Sequence, residues 1–253
     1  MTARTSYSPG TPCWVDVLCA DAEVGRAFYR DLFGWDFQIS ADPAAGGYTQ
    51  FYLKGAVVAG LGPNSGGGLP DAWVTYTSVT DAAATLATIA RTGGSVLMGA
   101  TPIEGQATMG VFTDPSGILG AVWQPDTHIG ARLVNQPNTF TWSELSTPDL
   151  HAATAFYGEV FGWEAAAAEA GDAVLFMLDG RAIGGAHEAA LGEFSAWAVW
   201  FAVNDCDVVA SRAVEVGGTT VLAPMDMGFG RGALVAAPGG AVFGLAAIND
   251  PAP

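Results

Sequence analysis

The segment from Trp14 to Trp35 returns, 128 residues later, as the segment from Trp142 to Trp163. Trp14 and Trp142, the acids Asp16 and Glu144, Asp21 and Asp149, the pairs Phe28-Tyr29 and Phe156-Tyr157, and the Phe-Gly-Trp triplets ending at Trp35 and Trp163 all keep that spacing. Self-similarity at a fixed period marks a duplicated structural unit, so the chain reads as two homologous domains. Its 253 residues leave room for two domains of about 120 residues, each long enough for a core.

Each copy also has a local grammar. Trp14, Asp16 and Leu18 alternate with Val15, Val17 and Cys19, as in a strand with two different faces. Asp21 and Asp149 are placed to cap helices whose apolar faces carry the Phe-Tyr pairs, and Gly34 and Gly162 to end them. Trp73 to Val79 is a further strand. Thr80-Asp81 opens a helix that runs to Arg91 and stops at Gly93-Gly94, and short strands follow up to Trp123 around an Asp114-Pro-Ser-Gly117 turn. The order repeats with a strand at Trp197 to Val203, a helix from about Asp205 to Gly217-Gly218 and an Ala237-Pro-Gly-Gly240 turn. A β-α-β-β-β unit thus occurs four times, in domains over 11–125 and 138–248 with a linker at 126–137. Residues 1–10 read as a flexible arm.

These units, with Phe-Tyr on the first helix, Phe-Gly-Trp after it and Asp-Pro-x-Gly before the last strand, resemble the vicinal oxygen chelate superfamily. That superfamily includes glyoxalase I, extradiol dioxygenases, fosfomycin-resistance enzymes and bleomycin-binding proteins. The tandem form with Trp-x-acid in the first strand is similar to two-domain actinobacterial glyoxalase-like proteins. The resemblance implies an α+β fold: two tandem glyoxalase-like domains, each a curled mixed sheet of two βαβββ units with helices outside. The second domain departs from the motif at Ala237, where the pattern has Asp.

The resemblance also implies a divalent metal, held by His or Glu on the first and last strands of the units. Here the first-strand positions hold Trp14, Val74, Trp142 and Ala198, and the last-strand positions hold Ala121 and Gly244. An indole offers only an N–H, and Ala, Val and Gly offer no side-chain donor. No metal and no cofactor is therefore expected. His187 with Glu188 is the only His–acid pair in a plausible strand, and two donors make a weak site.

Candidate site residues follow from strand alternation. Asp16 and Glu144 share faces with Trp14 and Trp142 and are expected to line the cups. There they either bond backbone N–H groups or an arginine, or have a raised pKa and serve as general acid or base. Tyr76 and Trp200 fall opposite Trp73 and Trp197, so they are expected to join Trp14 and Trp142 as stacking surfaces for a planar ligand. Glu104 and Asp226, each two residues after a proline, are a second matched acid pair, read as loop residues at the cup mouth. Arg231 either anchors an anionic group or pairs with Asp226, and His187 is a further ligand-facing candidate.

Twenty-five acidic against nine basic residues give a net charge of −16, which argues against nucleic acid and anionic membranes as partners. No run of 18 apolar residues and no signal-like N-terminus is present. Three cysteines without Cys-x-x-Cys spacing suit reduced thiols, so a cytoplasmic monomer or homodimer is expected. The small-residue run Ser65 to Gly68 lacks the lysine of a phosphate cradle. Two function classes remain. One is metal-independent binding of a hydrophobic or aromatic small molecule, as in bleomycin-resistance-type sequestration. The other is an enzyme of secondary metabolism or detoxification, with isomerase, lyase or cyclase chemistry run by Asp16 or Glu144. Metal-dependent glyoxalase I activity stands third, for want of donors.

Overall fold

The computed structural model describes residues 3–64, 71–168, 173–190, 194–228 and 230–248; the run 65–68 lies outside them. The first half contains β1 (Pro12–Cys19), α1 (Ala22–Phe33), β2 (Asp36–Ile39), β3 (Thr49–Leu53) and β4 (Ala56–Pro63). It continues with β5 (Ala72–Ser78), α2 (Ala82–Arg91), β6 (Ser95–Ile103), β7 (Ala107–Thr113) and β8 (Leu119–Pro125). The second half repeats the order with β9 (Thr139–Thr147), α3 (Leu150–Phe161), β10 (Glu164–Ala167), β11 (Val174–Leu178) and β12 (Arg181–Glu188). It ends with β13 (Ala196–Ala202), α4 (Cys206–Glu215), β14 (Thr219–Asp226), β15 (Gly230–Ala236) and β16 (Val242–Ile248).

The helix ends are set by local chemistry. The Asp21 carboxylate accepts the N–H groups of Glu23 and Val24, and that of Asp149 accepts the N–H of Ala152. Gly34 and Gly162 turn left-handed at φ 69° and 73°, which lets their N–H groups close on the last helical turn.

Each half forms one eight-stranded sheet, ordered β2-β3-β4-β1-β5-β8-β7-β6 and β10-β11-β12-β9-β13-β16-β15-β14. The two βαβββ units of a half meet where β1 runs antiparallel to β5, and β9 to β13. Helices cover the convex faces, and those faces meet each other. Phe28 and Phe33 of α1 therefore pack on Phe243 and Phe201 of the other half, while Tyr29 packs on Phe51 and Trp73 of its own. α3 reciprocates, with Phe156 and Phe161 on Phe112 of the first half. Where the central strands touch, the Thr75 and Ser143 hydroxyls bond at 2.9 Å. The helices are outside each cup, each with one side buried, and the two concave faces look away from each other. No helix is long and apolar enough to cross a membrane, and the three cysteines are free and buried.

The N-terminal arm, read as flexible from sequence, and the linker are both packed. In the N-terminal arm, the Tyr7 hydroxyl donates to the Ala131 carbonyl at 2.6 Å, and Gly10 donates its N–H to Ser78 and accepts the Trp163 indole N–H. The stretch after β8, the linker between the halves, forms a strap over the start of β1. Its Ala131 and Arg132 N–H groups bond the Cys13 and Val57 carbonyls.

Candidate functional site

On β1, Trp14, Asp16 and Leu18 project to the concave side, and register places Tyr76 of β5 beside Trp14 and Gly60 of β4 beside Asp16. The Asp16 carboxyl is short. It is reached by Tyr76, whose hydroxyl donates to Oδ2 at 3.0 Å, and by Tyr48, whose hydroxyl donates to the same oxygen at 3.3 Å while accepting the Trp14 indole N–H at 3.1 Å. Gly60 makes this possible, because a Cβ there would run into the Tyr48 hydroxyl. Oδ1 of Asp16 is buried without a hydrogen bond among the described residues. Burial pushes the Asp16 pKa up to about 7, against the pull of the two tyrosine hydroxyls. Burial, with the acid beside them, holds both tyrosines well above the ordinary phenol value, so they remain donors.

This cup is closed. Trp14 is 0% and Asp16 3% exposed. His128 of the strap meets Trp14 and Trp123 edge-on, with ring centroids 4.7 and 5.3 Å apart, and its carbonyl accepts the Trp123 indole N–H. Burial lowers the His128 pKa to about 4, and its neutral Nδ1 accepts the Gly130 N–H at 3.0 Å.

The second half builds a different site on the same frame. Glu144 is one methylene longer than Asp16, and its Oε2 takes the Trp142 indole N–H directly at 2.8 Å. Oε1 lies 3.3 Å from His187 Nδ1. Gly185 takes the place of Gly60, and a Cβ there would strike the Glu144 carboxylate. Trp200 pairs with Trp142 across β13 and β9 and lies over Gly244, where again a Cβ would not fit. The side chains of Glu144 and His187 stay 24% and 34% exposed, so this face is open to solvent. Ser146 joins them on the same face, with its buried hydroxyl unbonded among the described residues.

Several sequence expectations need correcting. Neither acid bonds backbone N–H groups or an arginine; their partners are tyrosine hydroxyls, an indole and an imidazole. Asp16 is sealed rather than lining an open cup. His187 pairs with Glu144, not Glu188. Arg231 lies on the helix side of β15, on the same face as the core residues Ala233 and Val235, and binds Asp207 of α4 rather than Asp226 or the concave face. Glu104 and Asp226 are exposed in the hairpins of the far edge strands β6 and β14, away from the tryptophans. Tyr48, His128 and Ser146 carry no sequence pattern that places them at the site. The glycines at 60 and 185 were the available signal for side chains lying across those strands.

A sequence profile described as the glyoxalase/bleomycin resistance protein/dioxygenase superfamily matches residues 13–121, and a bleomycin resistance protein-like N-terminal profile matches 139–177. "Putative glyoxylase CFP32" of Mycobacterium tuberculosis is 37% identical across 100% of this chain and 99% of its own. The anthracycline biosynthesis protein DnrV of Streptomyces peucetius is 35% identical across 97% of this chain and 96% of its own. Among solved structures, an Mn(II)-bound glyoxalase from Novosphingobium aromaticivorans superposes with a TM-score of 0.67 at 18% identity, covering 96% of this chain and 82% of that one. The 2,3-dioxygenase LapB of Pseudomonas sp. KL28 gives 0.64 at 15%, covering 97% and 92%.

Such a metal does not fit the donors here. Facing positions on the central strands hold Asp16, Gly60, Val74 and Ala121 in one sheet, and Glu144, Gly185, Ala198 and Gly244 in the other. Among the described residues no three His, Cys, Asp or Glu side chains converge. By whole-length similarity and by fold, the chain belongs to the glyoxalase/bleomycin resistance protein/dioxygenase superfamily.

Proposed function

We propose that the protein binds a planar aromatic small molecule without a metal, on the concave face of its second half. One observation carries this reading: Trp142, Glu144 and His187 form a hydrogen-bonded chain that is partly open to solvent, beside the largely buried Trp200 on the same face. Indoles supply stacking area and the carboxylate–imidazole pair supplies orientation, the usual division of labour in a small-molecule site. Relatives named for anthracycline biosynthesis support a planar polycyclic ligand and a role in secondary metabolism. Titration with such a compound is expected to quench tryptophan fluorescence saturably, with or without chelator. Trp142→Ala and Trp200→Ala are each expected to weaken binding by about tenfold or more. No saturable quenching, or affinity lost with chelator, would overturn the reading.

Proton transfer by Asp16 is a second reading, favoured by its unbonded oxygen and a pKa near neutrality. It requires the strap to lift from Trp14. Asp16→Asn would then abolish turnover of the ligand while leaving fluorescence quenching intact; turnover by the variant at the wild-type rate would end it.

A further inference from the structure

Given that reading of the second cup, we infer that its ligand presents a cationic nitrogen, an ammonium group on an aromatic frame, to Glu144 beside the Trp142–Trp200 pair. Glu144 is already oriented, with one oxygen on the Trp142 indole and the other on His187. Its side chain is only 24% exposed. A ligand that covers this carboxylate strips the remaining water from it. Without compensation that desolvation opposes binding.

Compensation from the protein is limited. Of the basic residues in this sheet's described strands, Arg231 is on the helix side and bound to Asp207, and Arg181 sits exposed at the β11–β12 hairpin. The ligand must therefore bring the charge. Indole faces attract cations as well as stacking on rings, and the Trp142–Trp200 pair lies one step along the sheet from the acid. An anionic or purely apolar ligand meets the opposite conditions. The protein's charge of −16 further concentrates cations at its surface.

The test uses two probes of one shape on the full chain: 9-(aminomethyl)anthracene, an ammonium at neutral pH, and its uncharged N-acetyl derivative. The wild type is expected to bind the amine about tenfold or more tightly than the amide by quenching and calorimetry. Glu144→Gln is expected to weaken the amine far more than the amide, removing that preference. The comparison on the wild type needs no variant, so a poorly folded Glu144→Gln would not obscure it. Equal affinity for the two probes overturns the inference and leaves the binding reading standing. A preference that survives in Glu144→Gln overturns it too, because the charge would then be sensed elsewhere. If neither probe binds, the reading of the cup and the inference fall together.

Discussion

The Trp35 indole N–H donates to the Asn138 carbonyl at 2.9 Å, and 128 residues away Trp163 makes the equivalent bond to Gly10 at 2.7 Å. Each Phe-Gly-Trp triplet thus ties its own half to the first strand's entry in the other half. Asn138 doubles the tie, its side-chain amide donating to the Phe33 carbonyl at 3.0 Å. Trp35→Phe or Trp163→Phe strands a buried carbonyl, and each is expected to cost about 1–3 kcal/mol in denaturant unfolding. The wild type should unfold in one transition by both far-UV and tryptophan signals. Two separated transitions would show the halves to be independent.

The Tyr29 and Tyr157 pair offers a sharper contrast. The Tyr157 hydroxyl donates to Asp114 at 3.2 Å and accepts the Trp197 indole N–H at 2.9 Å. Tyr29 packs identically, but Ala237 stands where its acceptor would be, and its hydroxyl is buried unbonded among the described residues. Tyr157→Phe is expected to destabilise by about 1–3 kcal/mol and Tyr29→Phe to be neutral or stabilising. Thermal melts of the two variants decide it; equal losses would contradict the assignment.

Asp16 and His128 make opposite contributions to pH stability. Asp16 rises from an ordinary 3.8 to about 7 on folding, so the native state holds the extra proton and stability falls as pH climbs from about 4 to 7. His128 drops from 6.5 to about 4, so stability is lost as pH falls through that window. The two slopes offset between about pH 4 and 6.5. Asp16→Asn, which mimics the protonated acid, should expose the His128 slope and gain as much as about 4 kcal/mol above pH 7. A urea titration series across pH 4–8 that matches the wild type would refute this.

Gly185 and Gly244 separate binding from folding. A Cβ at 185 meets the free end of Glu144, which can swing away, whereas one at 244 meets the Trp200 ring. Gly185→Ala is expected to keep its melting temperature within a few degrees yet lose the cation preference. Gly244→Ala is expected to cost about 1–3 kcal/mol through overpacking. Calorimetric melts and the probe titration check both.

Much of the frame was legible in the sequence because it obeys local rules. Period-two alternation carries Trp14, Asp16 and Tyr76 to one face and Trp73 to the other, and Asp21 and Asp149 cap their helices through N–H groups two or three residues away. The partnerships were not legible, because they join residues distant in sequence. Tyr48 reaches Asp16 from 32 residues on, and Arg231 finds Asp207 only because strand parity turns it toward α4. A one-methylene difference between Asp16 and Glu144 decides whether a tyrosine or the neighbouring indole completes the bond. Nothing in the spacing of residues reports that. The closed state of the first cup depends on where the strap runs, which composition alone does not fix.

The nesting of α1 and α3 against opposite sheets has an ancestral implication. A single half of this chain would expose Phe28, Phe33 and their neighbours, and could bury them only against a twin. The contact has the two-fold, self-complementary form of a homodimer interface. Fusing the twins made their association independent of dilution and freed each copy from having to match the other. Thr75 and Ser143, whose mirror positions hold Val199 and Val15, and Asp114, whose mirror position is Ala237, record that freedom: matched positions in the two halves now hold different residues.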